Sequence, residues 1–219
     1  LRTVTGVQTC ALPISSARVL RLDNAEFHEV ARAEFVSLLP SGSREPVFLR
    51  GAVKDLDGDG RDEWLLPLVG HYGIFSGGKL RAEIPSPASS ELRDYSNYQI
   101  SHRLPAIFTF LLPGESLRAV ALLSDTQADF SYGREWASHT RFTIPRRMDE
   151  KWDAAAELDD VNLDGWPDLM VTQTSGTVNL KTETQIYLAT ATFVYPPEPD
   201  FQATRSGSFV SPILRSEEH

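Results

Sequence analysis

Cysteine is almost missing from this chain of 219 residues, which contains only Cys10. A single cysteine excludes an intramolecular disulfide. No apolar run reaches the roughly 20 residues that a membrane-spanning helix needs. Positive charge is also scarce, because 21 Lys and Arg stand against 30 Asp and Glu, for a net charge of −9. This balance disfavours nucleic acid as a partner and favours cations.

The sequence signatures of common catalytic sites are missing as well. The chain contains no G-x-S-x-G nucleophile elbow, P-loop or Rossmann fingerprint, and its scattered histidines lack HExxH-like spacing. Hydrophobic residues make up 41% of the chain, and 14 glycines and 14 prolines are spread along it. This composition is typical of a globular, turn-rich, all-β protein.

The two ends resemble translated adapter DNA. The final R-S-E-E-H, residues 215–219, can be encoded by DNA whose reverse complement, in another frame, encodes the A-L-P-I of residues 11–14. Residues 1–15 and 215–219 therefore resemble the translation of a sequencing-library adapter, and we set them aside from the fold. Residues 16–214 are expected to be a fragment of a longer protein. Because Cys10 lies in the excluded segment, a cysteine nucleophile is excluded for that fragment.

An internal repeat organises the chain. Residues 72–85 and 132–145 match without gaps at Tyr-Gly, at one Arg and at Ile-Pro, with an offset of 60. The first copy predicts a β-hairpin that turns at 76–79, and similar hairpins are expected at Val19–Val30 and Ile186–Tyr195. The turn positions 23, 76, 136 and 189 are 53, 60 and 53 residues apart. A period of this size fits a four-stranded propeller blade.

Short apolar segments bounded by turn residues predict further strands. These segments are Pro46–Val53, Trp64–Val69, Ala106–Leu112, Leu117–Leu123 and Leu169–Thr174. For Asn24–Leu39 a helix is an alternative, because its apolar residues share a helical face. The repeat favours a strand there.

Two acidic loops share one spacing. D-L-D-G-D-G-R-D-E occupies residues 55–63, D-V-N-L-D-G-W-P-D occupies 160–168, and an apolar segment follows each. In both loops, side chains with oxygen stand at positions one, three and five, glycine at six and an acid at nine. Calcium takes about six to eight oxygen ligands. The spacing lets a curled backbone direct several carboxylates and one carbonyl at a single point, and the glycine allows the sharp bend.

The loops therefore predict two calcium sites. The candidate ligands are the side chains of Asp55, Asp57, Asp59 and Glu63 with the Arg61 carbonyl, and the side chains of Asp160, Asn162, Asp164 and Asp168 with the Trp166 carbonyl. An EF-hand is excluded, because its loop needs a glutamate at position twelve and flanking helices. That position holds Leu66 in one loop and Val171 in the other.

The pattern D-x-[DN]-x-D-G-x-x-[DE] before an apolar strand resembles the FG-GAP or VCBS-type repeat of integrin-α-like β-propellers. The resemblance implies calcium loops that join strands within a blade, and several blades in a ring. The expected fold is all-β, a partial β-propeller of about three four-stranded blades over roughly 31–85, 86–145 and 146–195. Two residues depart from the family pattern. Glu63 reaches farther than the usual Asp, and Asn162 removes one charge, so the second site is expected to bind more weakly.

The middle unit is expected to lack a metal site. A shift of 60 residues from Asp55 leads to Glu115, where Pro113 and Gly114 predict a plain turn between two apolar strands. By the same repeat, one further loop is expected upstream of the fragment and another just beyond Leu214.

Other interpretations of these residues stay open. A single acidic, glycine-rich loop is often a solvated turn, and paired carboxylates such as Asp159 and Asp160 can serve glycoside hydrolysis. Converging alternate acids suit a cation better. The tryptophans and tyrosines form either a ligand-binding face or blade packing. They are Trp64, Trp136, Trp152, Trp166, Tyr72, Tyr132 and Tyr187.

The sequence thus predicts a calcium-stabilised, extracellular or periplasmic propeller fragment that binds a protein or a carbohydrate and is not an enzyme. Calcium outside the cytosol is abundant enough to fill weak sites. No nucleic-acid partner and no membrane span are expected. The alternative is a scaffold within a secreted propeller-type polysaccharide lyase or hydrolase, and fold analogy alone does not decide between them.

Overall fold

A computed structural model describes most of the chain as β-strand. The described residues are 4–9, 14–23, 26–36, 51–68, 71–87, 90–94, 99–103, 105–145, 152–175 and 179–207. They form the strands Val4–Thr9 (β1), Ile14–Asp23 (β2), Glu26–Val36 (β3), Val53–Lys54 (β4), Glu63–Leu68 (β5), His71–Ser76 (β6), Lys79–Pro85 (β7), Ser90–Asp94 (β8), Gln99–Arg103 (β9), Ala106–Leu111 (β10), Arg118–Leu123 (β11), Gln127–Tyr132 (β12), Ser138–Thr143 (β13), Trp152–Asp159 (β14), Asp168–Ser175 (β15), Lys181–Tyr187 (β16) and Phe201–Ser206 (β17). The helical structure in this part of the chain is one 3₁₀ turn, Arg134–Trp136.

The strands form several meanders. Within each sheet, a strand pairs with the next one along the chain. The sheet orders are β1-β2-β3, β4-β5-β6-β7, β8-β9, β10-β11-β12-β13 and β14-β15-β16-β17. The protein is therefore all-β, with three four-stranded antiparallel sheets. That these sheets are blades of a propeller stays a prediction.

The hairpin between β6 and β7 has a two-residue turn, as the sequence predicts. Ser76 pairs with Lys79, and the intervening Gly77 and Gly78 have φ angles of 56° and 82°. Positive φ at both central residues is the geometry that glycine favours in a tight hairpin. A Cβ at Gly78 would lie 2.5 Å from the Arg32 carbonyl oxygen, so this turn also needs glycine for space.

The preference for a strand rather than a helix after residue 24 is confirmed where the structure describes it. Strand β3 covers Glu26–Val36 and pairs with β2, with Asp23 opposite Glu26. The turn residues and positions 37–39 lie outside the described residues. Strand β1 lies within the adapter-like segment and pairs with β2.

The expected hairpin over Ile186–Tyr195 is wrong. Strand β16 ends at Tyr187 and pairs with β17, which begins at Phe201. The connection makes its own tight turn, in which the Thr190 N–H donates to the Val194 carbonyl at 2.9 Å. This turn buries Phe193, which is 1% exposed, so this side chain packs inward instead of extending the sheet.

Most other predicted strands agree with the described elements. Strands β5, β10, β11 and β15 cover nearly all of the four predicted segments after residue 60. The segment Pro46–Val53 is the exception, because strand β4 starts only at Val53 and the two preceding residues are not in a strand. Residues 46–50 and Val69 lie outside the described part of the chain.

The chain divides into two compact units. One contains residues 1–122 and 129–139, and the other contains 123–128 and 140–219. The first unit has a hydrophobic core of Ala52, Leu56, Leu65, Tyr72, Ile74, Ile84, Ile107, Val120, Leu122 and Trp136. Buried apolar residues of the second unit include Leu158, Leu169, Val171, Tyr187, Ala189 and Phe193. The predicted blade boundaries at 31–85, 86–145 and 146–195 stay predictions.

Candidate metal centre

The first acidic loop joins β4 to β5 and is shaped by its own carboxylates. Asp55 accepts the backbone N–H of Gly58 at 2.7 Å on one oxygen and that of Gly60 at 3.0 Å on the other. Both glycines have left-handed φ angles, 77° and 83°. Asp57 and Asp59 each accept the N–H two residues later, at 3.2 Å and 2.8 Å. These local bonds curl the backbone around the acidic side chains.

Glu63 closes the loop from inside the protein. Its side chain is fully buried, and its Oε2 atom accepts the N–H of Leu56 at 2.9 Å. Its Oε1 atom is buried without a hydrogen-bond partner among the described residues. Carboxylate oxygens of Asp55, Asp57 and Glu63 all lie within 4.8 Å of one another. The structure therefore brings three predicted ligands together, and one of them, Glu63, has an oxygen that lacks a donor.

Two carboxylates of this cluster, Glu63 and Asp57, have pKa values shifted in opposite directions. Burial raises the pKa of Glu63 above its usual 4.5, against the opposing effects of the Leu56 N–H and the Ser76 hydroxyl. The hydrogen bond from Arg81 lowers the pKa of Asp57 below 3.8. The charged form of the buried acid is therefore less stabilised than that of the outer acid.

Arg81 is the residue at this site that the sequence did not identify. Its Nη1 atom lies 2.5 Å from Asp57 Oδ2 and 4.0 Å from Glu63 Oε1. Its Nε atom lies 3.4 Å from a Glu135 oxygen, and its guanidinium carbon lies 5.3 Å from the centre of the Trp136 ring. The repeat match aligns Arg81 with Arg141, which was the one available signal in the sequence.

One further predicted side-chain ligand of the first loop lies outside the three-carboxylate group. Asp59 is exposed, and the group of oxygens within 4.8 Å does not include it. Arg61 has its N–H bound by Asp59, and the role of its carbonyl stays a prediction.

The second acidic loop joins β14 to β15 and repeats the hydrogen bonds of the first, except that its first acid accepts the N–H of position five instead of position four. Asp160 accepts N–H groups from Asp164 at 3.0 Å and Gly165 at 2.9 Å. Asn162 accepts the Asp164 N–H at 3.1 Å, and Asp164 accepts the Trp166 N–H at 2.8 Å. Each of these acceptors stands at the loop position of its counterpart in the first loop. Identical spacing has therefore produced closely similar backbone curls 105 residues apart.

Asp168 differs from Glu63 in having partners on both oxygens. Its Oδ2 atom accepts the N–H of Val161 at 2.9 Å and that of Asn162 at 3.4 Å, and its Oδ1 atom accepts the N–H of Ala189 at 2.8 Å. Within the described part of the chain, only the first loop gathers three acids as closely as 4.8 Å. The second predicted site stays a prediction.

The middle connection has the plain turn that the sequence predicts. Gly114 has a φ of 80°, and the Glu115 N–H donates to the Leu112 carbonyl at 3.1 Å. The acids grouped as a possible metal site in the described residues do not include Glu115.

Most of the described aromatic candidates are buried, and the paired acids bind loop backbone. Trp64, Trp136, Tyr72 and Tyr187 are all at most 4% exposed, so these four serve packing. The side chain of Trp152 lies outside the described residues, whereas Trp166 and Tyr132 are partly exposed. Of the possible catalytic pair, Asp159 accepts the N–H of Asp160, whose own two oxygens hold the loop backbone.

Comparisons of the chain with protein-family models, curated proteins and solved structures found no match. Among the described residues, no helix has the length and apolar character needed to cross a bilayer.

Proposed function

We propose that the protein is a calcium-stabilised, all-β repeat module that resembles consecutive blades of an FG-GAP or VCBS-type β-propeller. In this proposal calcium is structural. It occupies the two acidic loops, neutralises their carboxylates and fixes the turn that starts each following strand.

The observation that carries the proposal is the free oxygen of Glu63. A fully buried carboxylate oxygen without a donor is costly, because burial removes water without replacing its hydrogen bonds. A carboxylate oxygen of Glu63 also lies within 4.8 Å of oxygens from Asp55 and Asp57. A cation among these atoms would stabilise all three charges at once.

The ligand chemistry favours calcium over softer metals. The three grouped side chains offer only carboxylate oxygens, which suit hard cations such as calcium and magnesium. The loop is curled by flexible glycines and supplies several charged ligands. Calcium tolerates such irregular, carboxylate-rich coordination, whereas magnesium requires near-ideal octahedral geometry.

The biological role that we propose is binding of a protein or a carbohydrate outside the cytoplasm. Meandering sheets of this kind leave connecting loops exposed, and binding residues of rigid β-scaffolds are concentrated in loops. Weak calcium sites fill at the millimolar calcium found outside cells. The enzyme alternative has no separate observation in its favour at this site.

Thermal unfolding tests the calcium proposal. The full chain would be followed by circular dichroism in chelator and in millimolar calcium, together with Asp57→Ala, Asp164→Ala and the double variant. Calcium is expected to raise the unfolding midpoint of the unchanged chain, since a ligand that binds only the folded state stabilises it. Each single variant should retain part of the rise, and the double variant should lose it.

Asp62→Asn is the matched control. Asp62 is an exposed acid of the first loop and is not in the three-carboxylate group. It should leave the calcium response unchanged. An unchanged midpoint of the natural chain on addition of calcium would overturn the proposal.

A further inference from the structure

Arg81 reaches the first loop because it is the extra residue of a β-bulge. Strands β6 and β7 pair Ile74 with Ala82 and Phe75 with Leu80, so Arg81 has no residue opposite it. A bulge breaks the alternation of a strand and redirects a side chain. Here the guanidinium contacts Asp57.

The guanidinium has two sets of partners. One set belongs to the loop, where Nη1 lies 2.5 Å from Asp57 Oδ2 and 4.0 Å from the unpaired Glu63 oxygen. The other set belongs to the 3₁₀ turn, where Nε lies 3.4 Å from Glu135 and the guanidinium stacks over Trp136 at 5.3 Å.

The second set of partners is held in place by contacts other than those with the loop carboxylates. Trp136 is 1% exposed, and its indole N–H donates to the Arg118 carbonyl at 2.8 Å. Glu135, which is exposed, and Trp136 both have left-handed φ angles, 52° and 53°. The turn is thus a preformed alternative anchor for the arginine.

We propose that Arg81 is a built-in competitor of the cation at the first loop. This inference rests on the proposed calcium function. Arg81 and calcium neutralise the same carboxylates, and two positive charges at such short range repel each other. When calcium binds Asp57 and Glu63, Arg81 withdraws to Glu135 and Trp136. Calcium occupancy is thereby coupled to the 3₁₀ turn, and the affinity of the first loop is set partly by this arginine.

The second loop provides an internal comparison. Its side-chain oxygens at Asp160, Asp164 and Asp168 accept hydrogen bonds from backbone N–H groups and from the Asn162 amide, and they form no ion pair with the described cationic side chains. Changes at Arg81 should therefore act on one loop only.

Calorimetric titration with calcium tests the competition. The full chain with Asp164→Ala, which disables the second loop, would be compared with the same chain carrying Arg81→Gln or Glu135→Gln. Arg81→Gln should bind calcium about tenfold more tightly, because the competing charge is gone. Glu135→Gln should bind it roughly fivefold more weakly, because the arginine loses its alternative anchor.

Competition predicts tighter calcium binding in Arg81→Gln and weaker binding in Glu135→Gln, whereas structural damage would weaken binding in both variants.

In an Asp57→Ala background, where only the second loop remains, neither substitution should alter the affinity. If all three proteins bind calcium at the first loop equally, the competition is overturned and the calcium function stands. If none binds, including the protein with Arg81 intact, both proposals are overturned. If Arg81→Gln folds poorly, Glu135→Gln tests the competition alone, since the Glu135 side chain is exposed. An unchanged calcium affinity of Glu135→Gln would then overturn the competition.

Discussion

The Glu63 carboxylate accepts the backbone N–H of Leu56, seven residues earlier, at 2.9 Å. Asp168 accepts the N–H of Val161 at the same spacing and distance. In both loops, the acid at position nine therefore joins the start of the loop to the strand that follows. Asp168 has partners on both oxygens, whereas one oxygen of Glu63 is unpaired, so the two acids stabilise their loops differently.

The first prediction follows from this difference and concerns stability without metal. In chelator, Glu63→Gln should be neutral or stabilising, because it removes a buried charge whose one oxygen lacks a donor. Asp168→Asn should lower the free energy of unfolding by about 1–3 kcal/mol. The reason is that both carboxylate oxygens of Asp168 accept N–H groups, whereas an amide has only one oxygen to accept them. Urea unfolding of both variants measures these changes.

Unfolding in the presence of calcium is the control for Glu63→Gln and Asp168→Asn. Glu63→Gln should also lose the first loop's share of the calcium-dependent stabilisation. A strong destabilisation of the metal-free protein by Glu63→Gln would contradict the view that the burial of this charge is incompletely compensated.

The second prediction concerns the pH dependence of the metal-free protein. Burial raises the pKa of Glu63 in the folded state above 4.5, so the folded state binds this proton more tightly than the unfolded state does. Its contribution to stability is then complete below pH 4.5 and is lost as the pH rises through the folded pKa. Asp57 acts oppositely, since its lowered pKa gives stability above pH 3.8 that is lost as the pH falls through the folded pKa.

Between pH 4.5 and neutrality, Glu63 is therefore the member of this pair that changes stability. The free energy of unfolding in chelator, measured by urea across this window, should fall more steeply with pH in the natural chain than in Glu63→Gln. Parallel curves would contradict the raised pKa.

Features set by residues close in sequence could be predicted. The turn at Gly77 and Gly78 and the curl of both acidic loops depend on contacts within about ten residues. The spacing of Asp, Asn and Gly specifies those contacts directly. For the same reason, Glu115 and its plain turn followed from the sequence.

Features set by long-range pairing could not be predicted. Arg81 lies at the first acidic loop because of a bulge in the pairing of β6 with β7, which no local pattern specifies. The free oxygen of Glu63 depends on how deeply its strand is buried. The apolar residues around Phe193 favour a strand locally, but the partner of β16 begins at Phe201, beyond a turn that packs Phe193 into the interior.

The third prediction concerns Leu163, which stands at the loop position of Gly58. Leu163 has a φ of 61° and is 87% exposed, whereas Gly58 has a φ of 77°. A left-handed conformation costs a non-glycine residue roughly 1–2 kcal/mol. Leu163→Gly should therefore stabilise the protein by up to about 1 kcal/mol, after allowance for the greater freedom of glycine in the unfolded chain.

Gly58→Leu is the reciprocal change for urea unfolding. A Cβ at Gly58 would meet no atom within 4 Å, so its cost of roughly 1–2 kcal/mol would come from the backbone alone. Destabilisation by both substitutions would show that the two positions are not equivalent.

The fourth prediction compares two buried tyrosines. Tyr72 is fully buried in the core of the first unit, and its hydroxyl has no hydrogen-bond partner among the described residues. The Tyr187 hydroxyl, equally buried, donates to Gln185 at 2.8 Å. Removing an unpaired buried hydroxyl relieves a desolvation cost, whereas removing a paired one leaves its acceptor without a donor. Tyr72→Phe should therefore be neutral or stabilising by about 1 kcal/mol, and Tyr187→Phe should destabilise by about 1–2 kcal/mol. Urea unfolding in the same buffer gives both values, and equal losses in the two variants would show that the Tyr72 hydroxyl has a partner, such as a buried water.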